Sequence, residues 1–203
     1  MSSRWMLACA VITLVANFAS AGQFNSILNI GDDAPAWVDL PGTDGQKHSL
    51  ADLKDRDVVV VVFTCNSCPI AANYEDRIIA FAKAHCGPQG KVALVAINVN
   101  TVPDDRLDKM KERAKEREFP FPYLYDESQK IGKRYGAEYT PEFFVLNKAR
   151  KIVYMGAMDD RSPPAEAKTS YLESAVQAAL KDEKPSKAET VARGCKIRYA
   201  KGR

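Results

Sequence analysis

The sequence predicts one α/β domain, with a mixed central sheet, helices on both of its faces and an N-terminal β-hairpin. Three observations carry this. The runs DVVVVVF (57–63) and KVALVAINV (91–99) are uninterrupted apolar stretches, the composition of strands covered on both faces. Between them Ile70, Tyr74, Ile78 and Phe81 recur at helical spacing, so the three segments form a βαβ unit, expected right-handed. Further on, EFFVLN (142–147) and KIVYMG (151–156) are separated only by a tight polar turn, so they pair antiparallel.

The remaining elements follow in order. APAWVDLPGTDGQKHSLADL (34–53) gives a strand around Trp37 to Leu40, a turn at Asp44-Gly45, a second short strand and a helix start at Ser49 with Asp52 three residues on. The helix after the valines runs from Ser67 until Gly87 and Pro88 stop it. PDDRLDKMKERAKERE (103–118) reads as one helix opened by Pro103 and two aspartates, with Leu107, Met110 and Ala114 as a thin apolar stripe. Its six bases and six acids over residues 104–118 balance, which marks a solvated face and not a binding patch. FPFPYLYD (119–126) is a short strand and ESQKIGKRYG (127–136) a short helix ending at Gly136. SPPAEAKTSYLESAVQAALKD (162–182) closes the domain as a helix with Tyr171, Leu172, Ala175 and Ala179 inward.

Size and charge narrow the function classes. At 203 residues and 46% hydrophobic content the chain holds one domain with a substantial core. A net charge of +3, from 29 bases and 26 acids, is too weak a field for nucleic acid to be the main partner. Residues 1–21, MSSRWMLACAVITLVANFASA, carry one charge, an apolar stretch from Trp5 to Phe18 and a small-x-small ending, the pattern of a secretory signal peptide cleaved near Ala21. An uncleaved membrane anchor is the competing reading, but the apolar run falls short of the roughly 20 residues that span a bilayer. Cleavage would remove Cys9 and leave 28 bases against 26 acids, a net +2, on a periplasmic or extracellular protein. Residues 22–34 are then a polar lead, 35–182 the domain and 183–203 a basic C-terminal tail.

Four cysteines remain, Cys65, Cys68, Cys86 and Cys195, too few for a disulfide scaffold. Cys65-Asn66-Ser67-Cys68 lies where the valine strand hands over to the helix. A thiol at the helix start meets unpaired N–H groups and the positive end of the helix dipole, so Cys65 is expected to be the acidic, nucleophilic sulfur. Cys68, one helical turn along, is placed to attack a mixed disulfide at Cys65 and release the client as a dithiol. Pro69 suits the first helical turn. Haem attachment would need a histidine where Pro69 stands, and zinc would need two more ligands from His48, His85, Cys86 and Cys195, which include no second pair at ligand spacing. An inert structural disulfide is the bland alternative, but bridging so short a loop removes little chain entropy. No metal and no cofactor is expected.

Thr140-Pro141, Cys86 and Cys195 are the other candidate positions. Thr140-Pro141 opens EFFVL, a position where a strand tolerates proline, and read alone it is an ordinary trans bond. Cys86, ending a helix, reads as a small buried hydrophobe. Cys195 lies in a segment, 184–203, with seven bases and one acid. A solvated tail is the plain reading of it, and contact with an anionic membrane surface the sharper one. Cys195 itself is either a third redox thiol or the partner of Cys86.

Hairpin, βαβ, helix and ββα in that order is the layout of a thioredoxin-like domain. The chain resembles the thioredoxin-like redoxin superfamily, and within it a peroxiredoxin-like branch related to alkyl hydroperoxide reductase and thiol-specific antioxidant proteins. GDDAPAWVDLPGTDGQKHSL, FTCNSCP, VAINVN, FPYLYDESQKIGKRYGAEYTPEFFVLN, MGAMDD and GCKIRY carry the resemblance, which covers most of the chain after residue 21. It implies that Pro141 is cis beside the cysteine pair and that the backbone of Thr140 pairs with an extended substrate, a form of strand addition. It also implies thiol-disulfide exchange with protein disulfide or dithiol clients, with an unidentified thiol as electron donor. The sequence departs from thioredoxin in having Thr64 where Trp precedes the first cysteine, Asn66-Ser67 for Gly-Pro, and valines where a buried acid assists proton transfer.

Two other functions compete. A peroxiredoxin-like peroxidase resembles its relatives in a P-x-x-x-[T/S]-x-x-C loop. Counting back from Cys65 finds Val62 and Val58, and from Cys68 finds Cys65 and Val61, so neither cysteine has that loop. A non-catalytic interaction module would use neither thiol.

Overall fold

The computed structural model describes residues 22–161 and 167–200. Residues 1–21, the expected signal peptide with Cys9, residues 162–166 of the last expected helix and residues 201–203 lie outside the described residues. The elements are β1 (Leu40–Pro41), β2 (Lys47–His48), β3 (Val58–Phe63), α1 (Pro69–His85), β4 (Val92–Asn98), α2 (Leu107–Glu116), β5 (Tyr123–Tyr125), α3 (Lys130–Tyr135), β6 (Tyr139–Thr140), β7 (Glu142–Leu146), β8 (Ile152–Gly156), α4 (Tyr171–Leu180) and β9 (Cys195–Lys196).

Five strands form the central sheet in the order β5-β4-β3-β7-β8. Strand β3 pairs parallel with β4, Val61 opposite Val95, and antiparallel with β7, Val61 opposite Phe144. The mixed sheet predicted from the two apolar runs and the polar turn is thus the one observed. Successive β3 side chains point to opposite faces, which is why a run of valines suits this strand. Val58, Val60 and Val62 pack with Tyr74, Ile78 and Phe81 of α1, Met110 of α2 and Leu172, Ala175 and Val176 of α4. Val59, Val61 and Phe63 pack on the other face with Trp37, Leu50, Ile131 and Tyr135. All six β3 side chains are fully buried.

Several details differ from the sequence reading. The hairpin strands are only two residues each and Trp37 lies ahead of them, its ring buried in the second cluster. Residues Pro103–Asp105 form a separate 3-10 turn, and the helix begins only at Leu107 because Arg106 is extended. The cause is Asp105, which is drawn inward to bond the loop after β3 (below). Helix α4 starts at Tyr171, capped by the Ser170 hydroxyl, which accepts the Glu173 N–H at 3.3 Å.

The two ends of the chain also fold in. Leu28, in the expected polar lead, is buried against the second cluster. The C-terminal segment is not the solvated tail that its charges suggest. Strand β9 pairs antiparallel with β6, and Ile197 is buried. Its bases sit on exposed positions (Lys196, Arg198) that alternate with the inward Ile197, so a count of charge hides a strand with one apolar face.

Candidate active site

Strands β3 and β4 are adjacent and parallel, so the loops that follow them leave from one edge of the sheet, where α/β folds place their sites. The Thr64 N–H still bonds to the sheet, at 3.0 Å from the Ile97 carbonyl, and Cys65 is the first residue beyond it. Asn66 and Ser67 then turn, and Cys68 is the N-cap of α1, extended at φ −92° and ψ 115°, with Pro69 at the first helical position.

This places the helix end on the second cysteine. The sequence reading put Cys65 at the helix start, but Pro69 cannot be preceded comfortably by a helical residue, so the helix begins one residue after Cys68. The Ala71 N–H points at the Cys68 sulfur at 3.3 Å, and the Cys68 thiol can also donate to the Thr140 carbonyl at 3.2 Å. The Cys65 sulfur lies 3.3 Å from the Thr140 hydroxyl. Both cysteines are buried, at 3% and 2% exposure.

A hydrogen bond from the Cys65 thiol, assisted by the Ala71 N–H, holds Cys68 down to about 4 against the burial that opposes it. The same hydrogen bond, then burial, pushes Cys65 far up, and the nearby Asp105 carboxylate adds to the rise. The helix-end geometry thus favours the thiolate at Cys68, where the sequence reading expected it at Cys65. A charged group at an N-cap lies closest to the unpaired helical N–H groups, whereas Cys65 is four residues short of the helix.

Asp105 holds the turn between the cysteines. Its Oδ1 accepts the Asn66 N–H at 2.7 Å and the Ser67 N–H at 2.9 Å, and its Oδ2 accepts the Ser67 hydroxyl at 2.6 Å. Asn66 in turn donates to the Asp104 carbonyl at 2.9 Å and accepts the Tyr123 hydroxyl at 3.1 Å. Sequence reasoning took Asp105 as a helix-start residue and passed over Tyr123. The signal that finds Asp105 is topological: it lies in the loop after β4, which must meet the loop after β3.

Thr140 and Pro141 stand across from the pair, and the bond between them is cis. The edge of Thr140 is occupied. Cys195 of β9 is its antiparallel partner, and the Cys195 side chain packs on Cys65, Cys68 and Ala71. Cys86 lies at the other end of α1, as its C-cap. A 17-residue helix spans roughly 25 Å, so Cys86 and Cys195 are too far apart to pair. Burial raises Cys86 to about 11.

A two-sided mixed α/β fold with a C-x-x-C pair at the sheet edge, facing a cis-proline, defines a thioredoxin-like thiol redox protein. The Redoxin family model matches residues 29–172, and the chain belongs to that family. Among solved structures, a conserved protein of Geobacillus kaustophilus is 31% identical over 88% of this chain and 96% of its own, with a TM-score of 0.80. A hypothetical protein of Sinorhizobium meliloti 1021 is 34% identical over 86% of this chain and 97% of its own, with a TM-score of 0.79. The thioredoxin domain of a thiol-disulfide oxidoreductase from Bacteroides vulgatus shares the fold at 19% identity and a TM-score of 0.54, over 63% of this chain and 88% of its own. A search of curated proteins found no match.

Proposed function

We propose that the protein is a thiol-disulfide oxidoreductase that exchanges disulfides with protein clients outside the cytosol through Cys65 and Cys68. The observation that supports it best is the pair of buried thiols at the sheet edge, one of them the cap of α1 with the Ala71 N–H on its sulfur. In the reducing direction the Cys68 thiolate attacks a client disulfide, forming a mixed disulfide and releasing one client thiolate, which takes up a proton. Cys65 then attacks the Cys68 sulfur, passing its proton to the second client sulfur as that leaves. The client gains two electrons and the pair becomes a disulfide, which an external thiol donor reduces.

Thr140 supplies the docking edge. An extended client would add as a strand there, with its sulfur beside Cys68, in the position that β9 takes. The export of the protein rests on the composition of residues 1–21.

The test is dithiothreitol-driven reduction of insulin by the purified protein. Acceleration is expected, lost in Cys68→Ser, with Cys65→Ser combined with Cys195→Ser trapping a mixed disulfide at Cys68. Equal rates with and without protein would remove the proposal.

A further inference from the structure

The strand that fills the docking edge brings its own sulfur. Opposite Thr140 stands Cys195, and the Thr140 hydroxyl donates to the Cys195 carbonyl at 3.5 Å. Gly194 permits this approach: a Cβ there would lie 2.0 Å from the Thr140 carbonyl oxygen. The segment is pinned just beyond. The Ile197 N–H donates to the Glu138 carbonyl at 2.8 Å, the Arg198 N–H to Asn100 Oδ1 at 3.1 Å, the Tyr199 hydroxyl to the Ala137 carbonyl at 2.7 Å and the Ala200 N–H to Gln129 Oε1 at 2.7 Å. So held, the Cys195 side chain packs against the cluster of Cys65, Cys68 and Ala71. Unlike the buried pair, Cys195 is partly exposed.

We propose that Cys195 is a third redox thiol of this site, which takes the disulfide from the buried pair and presents it at the protein surface. The Cys195 sulfur attacks the Cys68 sulfur of an oxidised pair. The Cys68–Cys195 bond forms, the Cys65–Cys68 bond breaks, and the proton leaving Cys195 ends on the Cys65 sulfur, with no net oxidation. A client that cannot displace β9 then exchanges with Cys195 instead of the pair. The inference rests on the proposal that the pair carries out disulfide exchange, but its test is independent of client turnover.

The experiment is disulfide mapping by mass spectrometry of the full chain after equilibration with oxidised glutathione. Cys65→Ser is expected to yield a Cys68–Cys195 bridge as the main product, and Cys65→Ala the same if serine perturbs the turn. Adding Gly194→Val, which pushes β9 away, is expected to lower the bridge at least tenfold and leave glutathione on Cys68. Glutathione on Cys68 with Cys195 free in both single variants would overturn the inference, as would a bridge indifferent to Gly194→Val. If insulin reduction fails while the bridge forms, client exchange by the pair is lost and the third thiol stands. If insulin reduction succeeds without the bridge, only the third thiol is lost.

Discussion

Asp105 and Ser67 are locked together by two hydrogen bonds, hydroxyl to Oδ2 at 2.6 Å and N–H to Oδ1 at 2.9 Å, although they come from loops on different strands. The carboxylate is fully buried, so the turn between the cysteines is held by a charged acceptor in a dry setting, where such bonds are strongest. The same charge opposes a thiolate at Cys65.

Asp105→Asn separates those two effects. The amide keeps an acceptor for the two N–H groups and can donate to the Ser67 oxygen, so the turn persists while the charge goes. Cys65 is then expected to ionise more readily, and its alkylation by iodoacetamide in mild alkali to speed up, read by peptide mass spectrometry. An unchanged rate would mean that the carboxylate has no say over Cys65. Asp105→Ala, which strands the donors, is expected to cost about 2–4 kcal/mol in urea unfolding.

The reduced pair should lose its first proton near pH 4 and its second only in strong alkali, as one coupled unit. Thiolate absorbance at 240 nm tests this. The sign for stability follows from Cys68: its folded value lies below the ordinary 9.0, so its contribution is complete above that value and is lost as pH falls through about 4. Cys68→Ser should remove the acidic step. A reduced pair that stays fully protonated at neutral pH would contradict the role of the α1 cap in ionising Cys68.

Glu142 predicts the opposite slope. Burial raises its carboxyl from 4.5 to about 7, although the Glu138 and Tyr139 N–H groups both bond to it at 2.8 and 3.0 Å. An acid raised on folding contributes most below its unfolded value, and that contribution fades as pH climbs from 4.5 through about 7. Glu142→Gln keeps an acceptor for both donors. It is expected to flatten this part of the stability curve and to gain on the order of 2–3 kcal/mol above neutrality, measured by urea midpoints against pH. A variant that follows the wild-type slope would place the pH dependence elsewhere.

Val60→Ala removes two methyls from the middle of β3, where nothing can reach in to fill the space. Its side chain is fully buried in the cluster with α1 and α4. A loss of about 2–4 kcal/mol is expected in urea unfolding. A loss below about 1 kcal/mol would show that the helices relax onto the strand.

The parts of the structure legible in sequence were those set by local pattern. The run from Val58 to Phe63, the spacing of Tyr74, Ile78 and Phe81 and the turn before Ile152 are local signals, and each led to an element in the right place. The C-x-x-C pair was visible for the same reason. The helix boundary was misplaced by the distance from Ser67 to Pro69, and that small error transferred the acidic sulfur from Cys65 to Cys68. Thiol ionisation depends on which atom faces the free N–H groups, a matter of one residue.

By itself, then, the sequence determined which segments become strands and helices, because burial patterns and turn residues act over a few neighbours. Tertiary structure alone decided what surrounds the pair. Asp105 reaches Asn66 and Ser67 because parallel strands end at one edge, and Cys195 reaches Cys68 because Gly194 lets a distant strand lie on Thr140. Charge counting could not see either, since the energy that places them comes from hydrogen bonds and packing between residues far apart in the chain.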